Sequence, residues 1–273
     1  MTAAPVFDLD TPYPLTPEQI AAYRRDGFIK LKNVLSPEVI AHYGAVISAE
    51  VQRLNTLNLP MEKRDLYQKA FLQVINLWTK NETVREFCWS QRLARLAAAL
   101  MGVDGVRMYH DQALYKEPGG GITPWHADQY YWPLASALSV TAWIPLQATP
   151  MELGPLAFSI GSHEFETGRD LGISEESERI IGRSLKEKNY PLNDTPFDLG
   201  EVSFHSGWTF HRAGPNTSAR PRAVMTIIYI DSEMRLAAPK TKAHEGDRAA
   251  FAADVEVGAL MDGKLTPVIW RAA

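Results

Sequence analysis

The chain has 273 residues, of which 45% are hydrophobic and 22% are charged, so it can bury a full core, and at this length one large domain is plausible. Its formal net charge is −4 and it has no dense run of lysine and arginine, which argues against nucleic acid or an anionic membrane as the main partner. Cys88 is the only cysteine, which excludes an internal disulfide, and its large apolar neighbours indicate a core position rather than a catalytic thiol.

The sequence shows no targeting or membrane segment. Residues 1–5 lack a basic stretch followed by an apolar one, and no apolar run approaches about 18 residues. The C-terminal residues are not the peroxisomal Ser-Lys-Leu signal. We therefore expect a soluble, cytoplasmic protein.

The first hundred residues are expected to be mainly helical. Thr16 and Ser36 each have the pattern of a helix N-cap followed by proline, and residues 28–31 between these helices alternate like a short strand. The stretches 63–80 and 84–101 also have helical character, the second one ending at a glycine.

After Gly102 the pattern becomes that of a β-sandwich or barrel, with short apolar runs separated by Gly, Pro, Asn and Asp. The predicted strands are 106–116, 122–128, 138–147, 155–160, 201–204, 207–213 and 222–230. One polar segment, 164–199, interrupts them and contains a short predicted helix over 174–188. A solvated excursion and a lid over the barrel mouth both fit this segment.

The second predicted strand carries a pair of metal-binding residue types. His126 and Asp128 are two apart, so on an extended segment their side chains project to the same side. One imidazole and one carboxylate are two of the three ligands of a 2-His-1-carboxylate iron site. Because His-x-Asp occurs by chance in many chains, the third ligand decides the matter. The glycine run 119–121 before the pair permits a close approach of the backbone.

His211 is the best candidate for the third ligand among the seven histidines. It ends a strand-like run, and Arg222, eleven residues later, opens the most apolar predicted strand. A guanidinium at such a position needs a partner, either an acid of the protein or a bound carboxylate. His205 is an alternative ligand, but it lacks this spacing to the arginine. His42 and His244 are expected at the surface, and His163 in a turn where it caps backbone.

Together these motifs resemble the phytanoyl-CoA dioxygenase family of Fe(II)/2-oxoglutarate oxygenases. The resemblance rests first on His126-x-Asp128, His211 and Arg222. Further matches are Tyr23-x-x-Asp26-Gly27-Phe28, Val34-Leu35-Ser36, Leu153-Gly154-Pro155-Leu156, Ile160-Gly161-Ser162-His163 and Gly200-Glu201-Val202. It runs from about residue 17 to 231. The chain departs from the family at Leu153, where asparagine is more frequent, and at Ile160, where proline is common; neither is a predicted ligand.

The resemblance implies a fold that is mainly β with flanking helices. Its core would be a double-stranded β-helix (jelly roll) with the N-terminal helices packed against it. We expect one oxygenase domain over 1–273. It would consist of a mainly helical N-terminal region (1–102), a jelly-roll core (103–231) with the polar insertion 164–199, and a C-terminal extension (232–273).

The resemblance also implies the cofactors and their ligands. His126, Asp128 and His211 would bind Fe(II) as the catalytic centre, leaving three positions for 2-oxoglutarate and dioxygen. Arg222 would bind the distal carboxylate of 2-oxoglutarate, which a planar guanidinium grips through two parallel hydrogen bonds. The further candidates for the cosubstrate pocket, each of which could equally be ordinary packing, are Thr226, Trp143, Gln112 and Tyr115.

The sequence constrains the reaction more than the substrate. Related iron halogenases have glycine or alanine in place of Asp128, so hydroxylation or another oxidation is favoured over halogenation. Five aromatic residues near the ligands suggest a small, partly apolar or cationic substrate: Trp125, Tyr130, Tyr131, Trp132 and Trp208. No basic cluster suits a CoA phosphate, so we expect a metabolite hydroxylase, although a fatty-acyl-CoA stays open, as does the oligomeric state.

Two other classes of protein fit some of the pattern. A cupin-like metal enzyme that does not use 2-oxoglutarate would share the barrel but would not need Arg222. A non-catalytic barrel that binds a small molecule would carry the metal residues incidentally. The arginine and the metal content distinguish these alternatives.

Overall fold

The structure is a computed structural model that describes residues 7–272. Its strands are β1 (Phe28–Leu31), β2 (Leu72–Ile75), β3 (Gly105–Tyr115), β4 (Thr123–His126), β5 (Ser139–Pro145), β6 (Leu156–Ser159), β7 (Leu192–Asn193), β8 (Val202–Ser206), β9 (His211–Ala213), β10 (Val224–Asp231) and β11 (Val268–Arg271). Its α-helices are α1 (Pro17–Asp26), α2 (Pro37–Leu54), α3 (Leu66–Ala70), α4 (Glu82–Cys88), α5 (Gln91–Met101), α6 (Glu175–Glu187) and α7 (Lys242–Phe251).

The strands form two antiparallel sheets. The larger has seven strands in the order β1-β8-β5-β10-β3-β11, with β2 also paired to β3. The smaller has four, in the order β4-β9-β6-β7. Strands that are distant in sequence are neighbours in both sheets, as in a jelly roll. The predicted fold class, mainly β with flanking helices, is confirmed.

The centre of the larger sheet is β10, which is buried on both faces as its apolar sequence predicts. Its register places Thr226 opposite Gln112 of β3 on one side and opposite Trp143 of β5 on the other. Cross-strand partners share one face of a sheet. Three of the four cosubstrate-pocket candidates therefore lie side by side.

The N-terminal helices cover the other face of this sheet. Alternate residues of β5 and β10, such as Ala142, Ile144 and Ile227, join a core cluster with Ile47 of α2 and Leu93 of α5. Because side chains alternate along a strand, the residues between them are directed away from these helices, towards the smaller sheet. That space holds the candidate site.

The predicted helix over 63–80 is largely wrong. Within this stretch α3 is the α-helix, residues 72–75 form the strand β2, and Leu77–Thr79 form a short 3-10 turn. The period-two alternation of Leu72 to Ile75 suits the edge of the larger sheet, where β2 pairs with β3. Asn76 then adopts a left-handed conformation (φ 54°) that ends the strand.

Other boundaries also differ from prediction. The stretch 84–101 is two helices, because the Ser90 hydroxyl accepts a hydrogen bond from the Leu93 N–H and caps a new helix, α5. The strand predicted over 122–128 ends at His126, and a 3-10 turn follows from Asp128. The strand predicted over 207–213 begins only at His211, as β9.

Strands from all three predicted regions of the chain pair in the larger sheet: β1 and β2 from the first, β11 from the last. This supports our proposal that one domain spans the chain. Among residues 7–272, no helix combines the length and apolarity needed to cross a membrane.

Candidate active site

The three predicted ligands converge where β4 meets β9. His126 and His211 are cross-strand partners, and Asp128 opens the turn that follows β4. The Nε2 atoms of His126 and His211 lie 3.7 and 3.6 Å from Asp128 Oδ1. One donor atom from each residue lies within 4.8 Å of the others, which is close enough for one metal ion. Ala127 between the two ligands is extended (φ −122°, ψ 132°), so His126 and Asp128 project to the same side as the sequence predicts, although the strand itself ends at His126.

Backbone carbonyls fix the orientation of both imidazoles. His126 Nδ1 lies 2.7 Å from the Pro124 carbonyl oxygen, and His211 Nδ1 lies 3.0 Å from that of Thr209. A carbonyl only accepts, so each Nδ1–H donates and each Nε2 keeps a free lone pair. Metal-binding histidines are typically held in this way. The donor set, two neutral imidazoles and one carboxylate, fits a mononuclear iron site with open positions.

The second oxygen of Asp128 is held by the protein. Its Oδ2 accepts a hydrogen bond from the Thr141 hydroxyl at 2.8 Å and lies 3.2 Å from His205 Nε2. His205 is thus placed beside the carboxylate oxygen that does not face the two other imidazoles. His205 thus supports the carboxylate from behind, whereas His126, Asp128 and His211 form the group of donor atoms that could hold one metal ion.

Burial sets the protonation state of the triad. It lowers the pKa of His126 and of His211 to about 4. Burial alone would raise the pKa of Asp128, but His211 and the hydrogen bond from His205 outweigh it, so that this pKa lies well below its ordinary value. At neutral pH the site therefore holds neutral imidazoles and an ionised carboxylate, as metal binding requires.

The triad opens into a cavity of about 350 Å³ between the two sheets. Arg222, Thr226, Trp143 and Gln112 line it, together with apolar residues such as Leu114. Tyr115 does not: it packs in the core under the N-terminal helices, and its hydroxyl is 2.8 Å from that of Ser48. Tyr115 is three residues from Gln112, so strand alternation directs the two side chains to opposite faces, and its predicted place in the pocket is wrong.

Arg222 is a buried cation that has no carboxylate partner among residues 7–272. It is 1% exposed, and its Nη1 donates to the Gly154 carbonyl at 2.5 Å. Within residues 7–272 its Nε has no hydrogen-bond partner, and no acid forms an ion pair with it. Burial lowers its pKa to about 9, so it stays charged at neutral pH. A bound carboxylate would satisfy this group.

The arginine depends on a glycine for its contact. Gly154 has φ +66°, and a Cβ there would lie 2.3 Å from the Gly214 carbonyl oxygen. Only glycine tolerates both the left-handed conformation and this close approach. The Leu-Gly-Pro-Leu motif thus contributes a carbonyl beside the guanidinium.

A second buried basic residue, Lys116, was not predicted. It pairs with Arg222 through two backbone hydrogen bonds, and its Nζ donates to the Gly121 carbonyl and to the Thr123 hydroxyl. Burial, followed by repulsion from Arg222, lowers its pKa to about 6. In the sequence, only its position shortly before the glycine run 119–121 pointed to a place near the site.

Much of the cavity wall comes from segments that carried no motif. These residues belong to the stretch around β2, to β3 and to α7: Tyr67, Phe71, Gln73, Ile75, His110, Asp247 and Phe251. Of the five aromatic candidates, only Tyr131 and Trp132 line the cavity. Trp125 and Trp208 pack instead in a separate cluster on the outer side of β4.

The segment 164–199 is held against that outer side. Ile181 and Leu185 of α6 join the cluster of Trp125. Glu178 accepts a hydrogen bond from the Trp125 N–H at 3.0 Å and pairs with Arg212 at 2.9 Å. Of the whole segment only Ile173 lines the cavity.

The remaining histidines lie outside the site. His42 is exposed, and His163 Nε2 is 3.1 Å from the Arg24 carbonyl, in keeping with a backbone contact. His244, expected at the surface, is half-buried, with its Nε2 3.0 Å from the Tyr130 carbonyl.

A jelly roll with two histidines and one carboxylate at a cavity defines a mononuclear non-haem metal centre of the oxygenase type. The sequence model of the phytanoyl-CoA dioxygenase (PhyH) family matches residues 23–224, and the chain belongs to that family. The predicted family is confirmed, and with it the enzyme class, a non-haem iron, 2-oxoglutarate-dependent dioxygenase.

Individual relatives agree with this assignment. The ectoine dioxygenase of Bordetella parapertussis is 26% identical over 254 residues, which cover 83% of this chain and 79% of that protein. The epimerase SnoN, solved with Fe3+, alpha ketoglutarate and nogalamycin RO, has a TM-score of 0.78 and 24% identity, covering 93% of this chain and 98% of its own. EctD from S. alaskensis, solved with 2-oxoglutarate and 5-hydroxyectoine, has a TM-score of 0.70 and 21% identity, covering 92% and 88%. The two structural likenesses show a shared fold.

Proposed function

We propose that this protein hydroxylates a small-molecule metabolite, using Fe(II), 2-oxoglutarate and dioxygen. One observation carries the cosubstrate assignment: the guanidinium of Arg222, which forms no ion pair with residues 7–272, lines the same cavity as the three metal-binding side chains. A metal centre alone would not call for a buried cation that has no acidic partner among residues 7–272.

Each residue has a separate role in this proposal. His126, Asp128 and His211 hold the iron, and Arg222 forms two parallel hydrogen bonds with the distal carboxylate of 2-oxoglutarate. When bound, iron and 2-oxoglutarate supply the oxidising chemistry, in which one oxygen atom of dioxygen enters succinate and the other the substrate, with release of carbon dioxide.

The chain itself orients the cosubstrate and excludes water. Thr226, whose hydroxyl donates to the Gln112 carbonyl at 3.1 Å, and Trp143, whose ring lies 5.4 Å from the Arg222 guanidinium carbon, shape the wall beside the arginine. The apolar side chains Leu114 and Leu156 complete this side of the cavity. A dry wall of this kind protects a reactive centre from unproductive reaction with water.

The cavity supports a small substrate. Its volume of about 350 Å³ is at the lower end of the range of about 300–1,000 Å³ for small-molecule sites. Its only lysine or arginine side chains within residues 7–272 are Arg222 and Lys242, which is too few for a CoA phosphate group. The ectoine dioxygenases among the relatives are named for a small metabolite. A cytoplasmic location, without nucleic-acid or membrane partners, belongs to the proposal.

The test is anaerobic addition of Fe(II) and 2-oxoglutarate while the visible metal-to-ligand charge-transfer band of the chelate is followed. We expect the band in the native protein, its loss in His126→Ala and His211→Ala, and a much higher 2-oxoglutarate requirement in Arg222→Met. His42→Ala, which changes an exposed histidine, is the matched control and should retain the band.

The same experiment separates the alternative classes. A folded, iron-loaded protein that forms no band would favour the cupin-like enzyme without 2-oxoglutarate. A protein that takes up no iron would favour the non-catalytic binding module. Succinate release in the presence of candidate metabolites then identifies the substrate.

A further inference from the structure

The wall of the cavity formed by α7 carries a carboxylate that the proposed reaction does not use. Asp247 lines the cavity on the same helix as Ala250 and Phe251. His244 fixes this helix to the turn after the metal ligands, through its contact with the Tyr130 carbonyl. Asp247 is therefore held in a defined place relative to the metal centre.

The carboxylate is only half satisfied by the protein. Its Oδ1 accepts a hydrogen bond from the hydroxyl of Tyr109, which is fully buried. Among residues 7–272, its Oδ2 accepts no hydrogen bond and no Lys or Arg forms an ion pair with it. Burial raises the pKa of Asp247 to about 7, although the Tyr109 hydrogen bond acts to lower it. A cation from the ligand would relieve this cost.

Three aromatic rings, those of His110, Trp132 and Phe251, line the same cavity as Asp247. Phe251 stacks on His110 with ring centroids 4.0 Å apart, and Trp132 meets Tyr109 edge to face at 6.0 Å. Burial lowers the pKa of His110 to about 3, so the imidazole is neutral and does not repel a cation. A carboxylate among aromatic faces is the chemistry that binds an ammonium group, since the carboxylate supplies charge and the rings supply cation–π attraction.

We propose that the substrate carries a protonated amine, and that Asp247 pairs with this group to orient the substrate towards the metal. The inference rests on the proposed function, because it names the substrate class of the same cavity. Asp247 determines specificity in this scheme, and Tyr109 positions it.

Fragment binding to the full-length protein without added iron tests the proposal. The probes are cyclohexylamine with cyclohexanol, and benzylamine with benzyl alcohol, and Kd values are measured by ligand-observed NMR titration. We expect each amine to bind at least tenfold more tightly than its alcohol. Asp247→Asn should remove this preference and leave alcohol binding unchanged, whereas Asp247→Glu should retain some of it. Tyr109→Phe should weaken amine binding a few-fold.

Glu245→Gln is the matched control, because it removes the same charge from an exposed position of α7 and should leave amine binding unchanged. The proposal is overturned if no amine binds more tightly than its alcohol, or if Asp247→Asn binds amines as the native protein does. The charge-transfer band separates this outcome from failure of the proposed function. A native protein that binds amines through Asp247 but forms no band would refute the cosubstrate assignment alone.

Discussion

Replacement of Arg222 by methionine should abolish tight 2-oxoglutarate binding without weakening the fold. The arginine is 1% exposed, and among residues 7–272 its side chain contacts one carbonyl, that of Gly154, and the ring of Trp143. Removal of one partner from a buried charge pair costs about 2–5 kcal/mol, so we expect the 2-oxoglutarate Kd to rise by roughly 30-fold to several thousand-fold.

The expected effect on stability has the opposite sign. Burial lowers the pKa of Arg222 from 12.5 to about 9. At about 1.4 kcal/mol per pKa unit, this corresponds to roughly 5 kcal/mol against the charged form. At pH 7, below both values, the group is charged in the folded and the unfolded chain, so the whole cost falls on the folded state. Methionine removes this cost and loses the hydrogen bond to Gly154, worth about 1.5–3 kcal/mol. The free energy of unfolding should stay the same or rise by up to about 3 kcal/mol.

Two measurements check this pair of effects: anaerobic titration of 2-oxoglutarate into the Fe(II) protein, and urea unfolding of the metal-free protein. Arg220→Met is the control, because Arg220 lies two residues away and is exposed. A 2-oxoglutarate Kd within threefold of the native value would refute the assignment of Arg222. A loss of more than about 2 kcal/mol in stability would instead indicate that the arginine serves the fold.

Three further predictions concern the surroundings of the metal centre and of the arginine. Thr141→Val removes the hydroxyl that donates to Asp128 Oδ2, and should weaken Fe(II) binding in an anaerobic titration by about 10- to 100-fold. After correction for competing buffer equilibria, Fe(II) affinity should vary little between pH 7.5 and about 5.5, because the two histidine ligands have pKa values of about 4. A loss of affinity that begins near pH 6.5 would contradict this. Gly154→Ala should destabilise the protein by roughly 2–5 kcal/mol in urea unfolding, since left-handed strain adds to a backbone clash. At Gly119, also left-handed but with no atom within 4 Å of a Cβ, alanine should cost only about 1–2 kcal/mol.

The chemistry of the site was predictable because its residues stand in short, fixed motifs. His126 and Asp128 are close in sequence, and the apolar run after Arg222 identified β10 as an interior strand. The end of the strand was not predictable. The strand stops at His126 and a 3-10 turn starts at Asp128, and such turns depend on contacts outside the local sequence.

The errors have a common physical origin in tertiary pairing. Residues 72–75 alternate over only four positions, which is too short a pattern to outweigh the helical propensity on both sides. The strand forms because β3 offers it a partner, and this pairing is not visible in the local sequence. Tyr115 and Gln112 are three residues apart on β3, and strand parity, which the sequence already contains, directs them to opposite faces. The α7 wall, by contrast, had no local signature: Asp247 becomes a candidate only once burial and the contact with Tyr109 are known.

The hydrogen bonds to Asp128 Oδ2 have a consequence for metal selection. With this oxygen committed to Thr141 and His205, the carboxylate can offer a metal only its other oxygen. Large cations such as Ca2+ take six to eight oxygen ligands and often bind carboxylates through both oxygens, so this environment disfavours them. The hydroxyl and the imidazole behind the carboxylate would thus favour small first-row ions over large cations at this site.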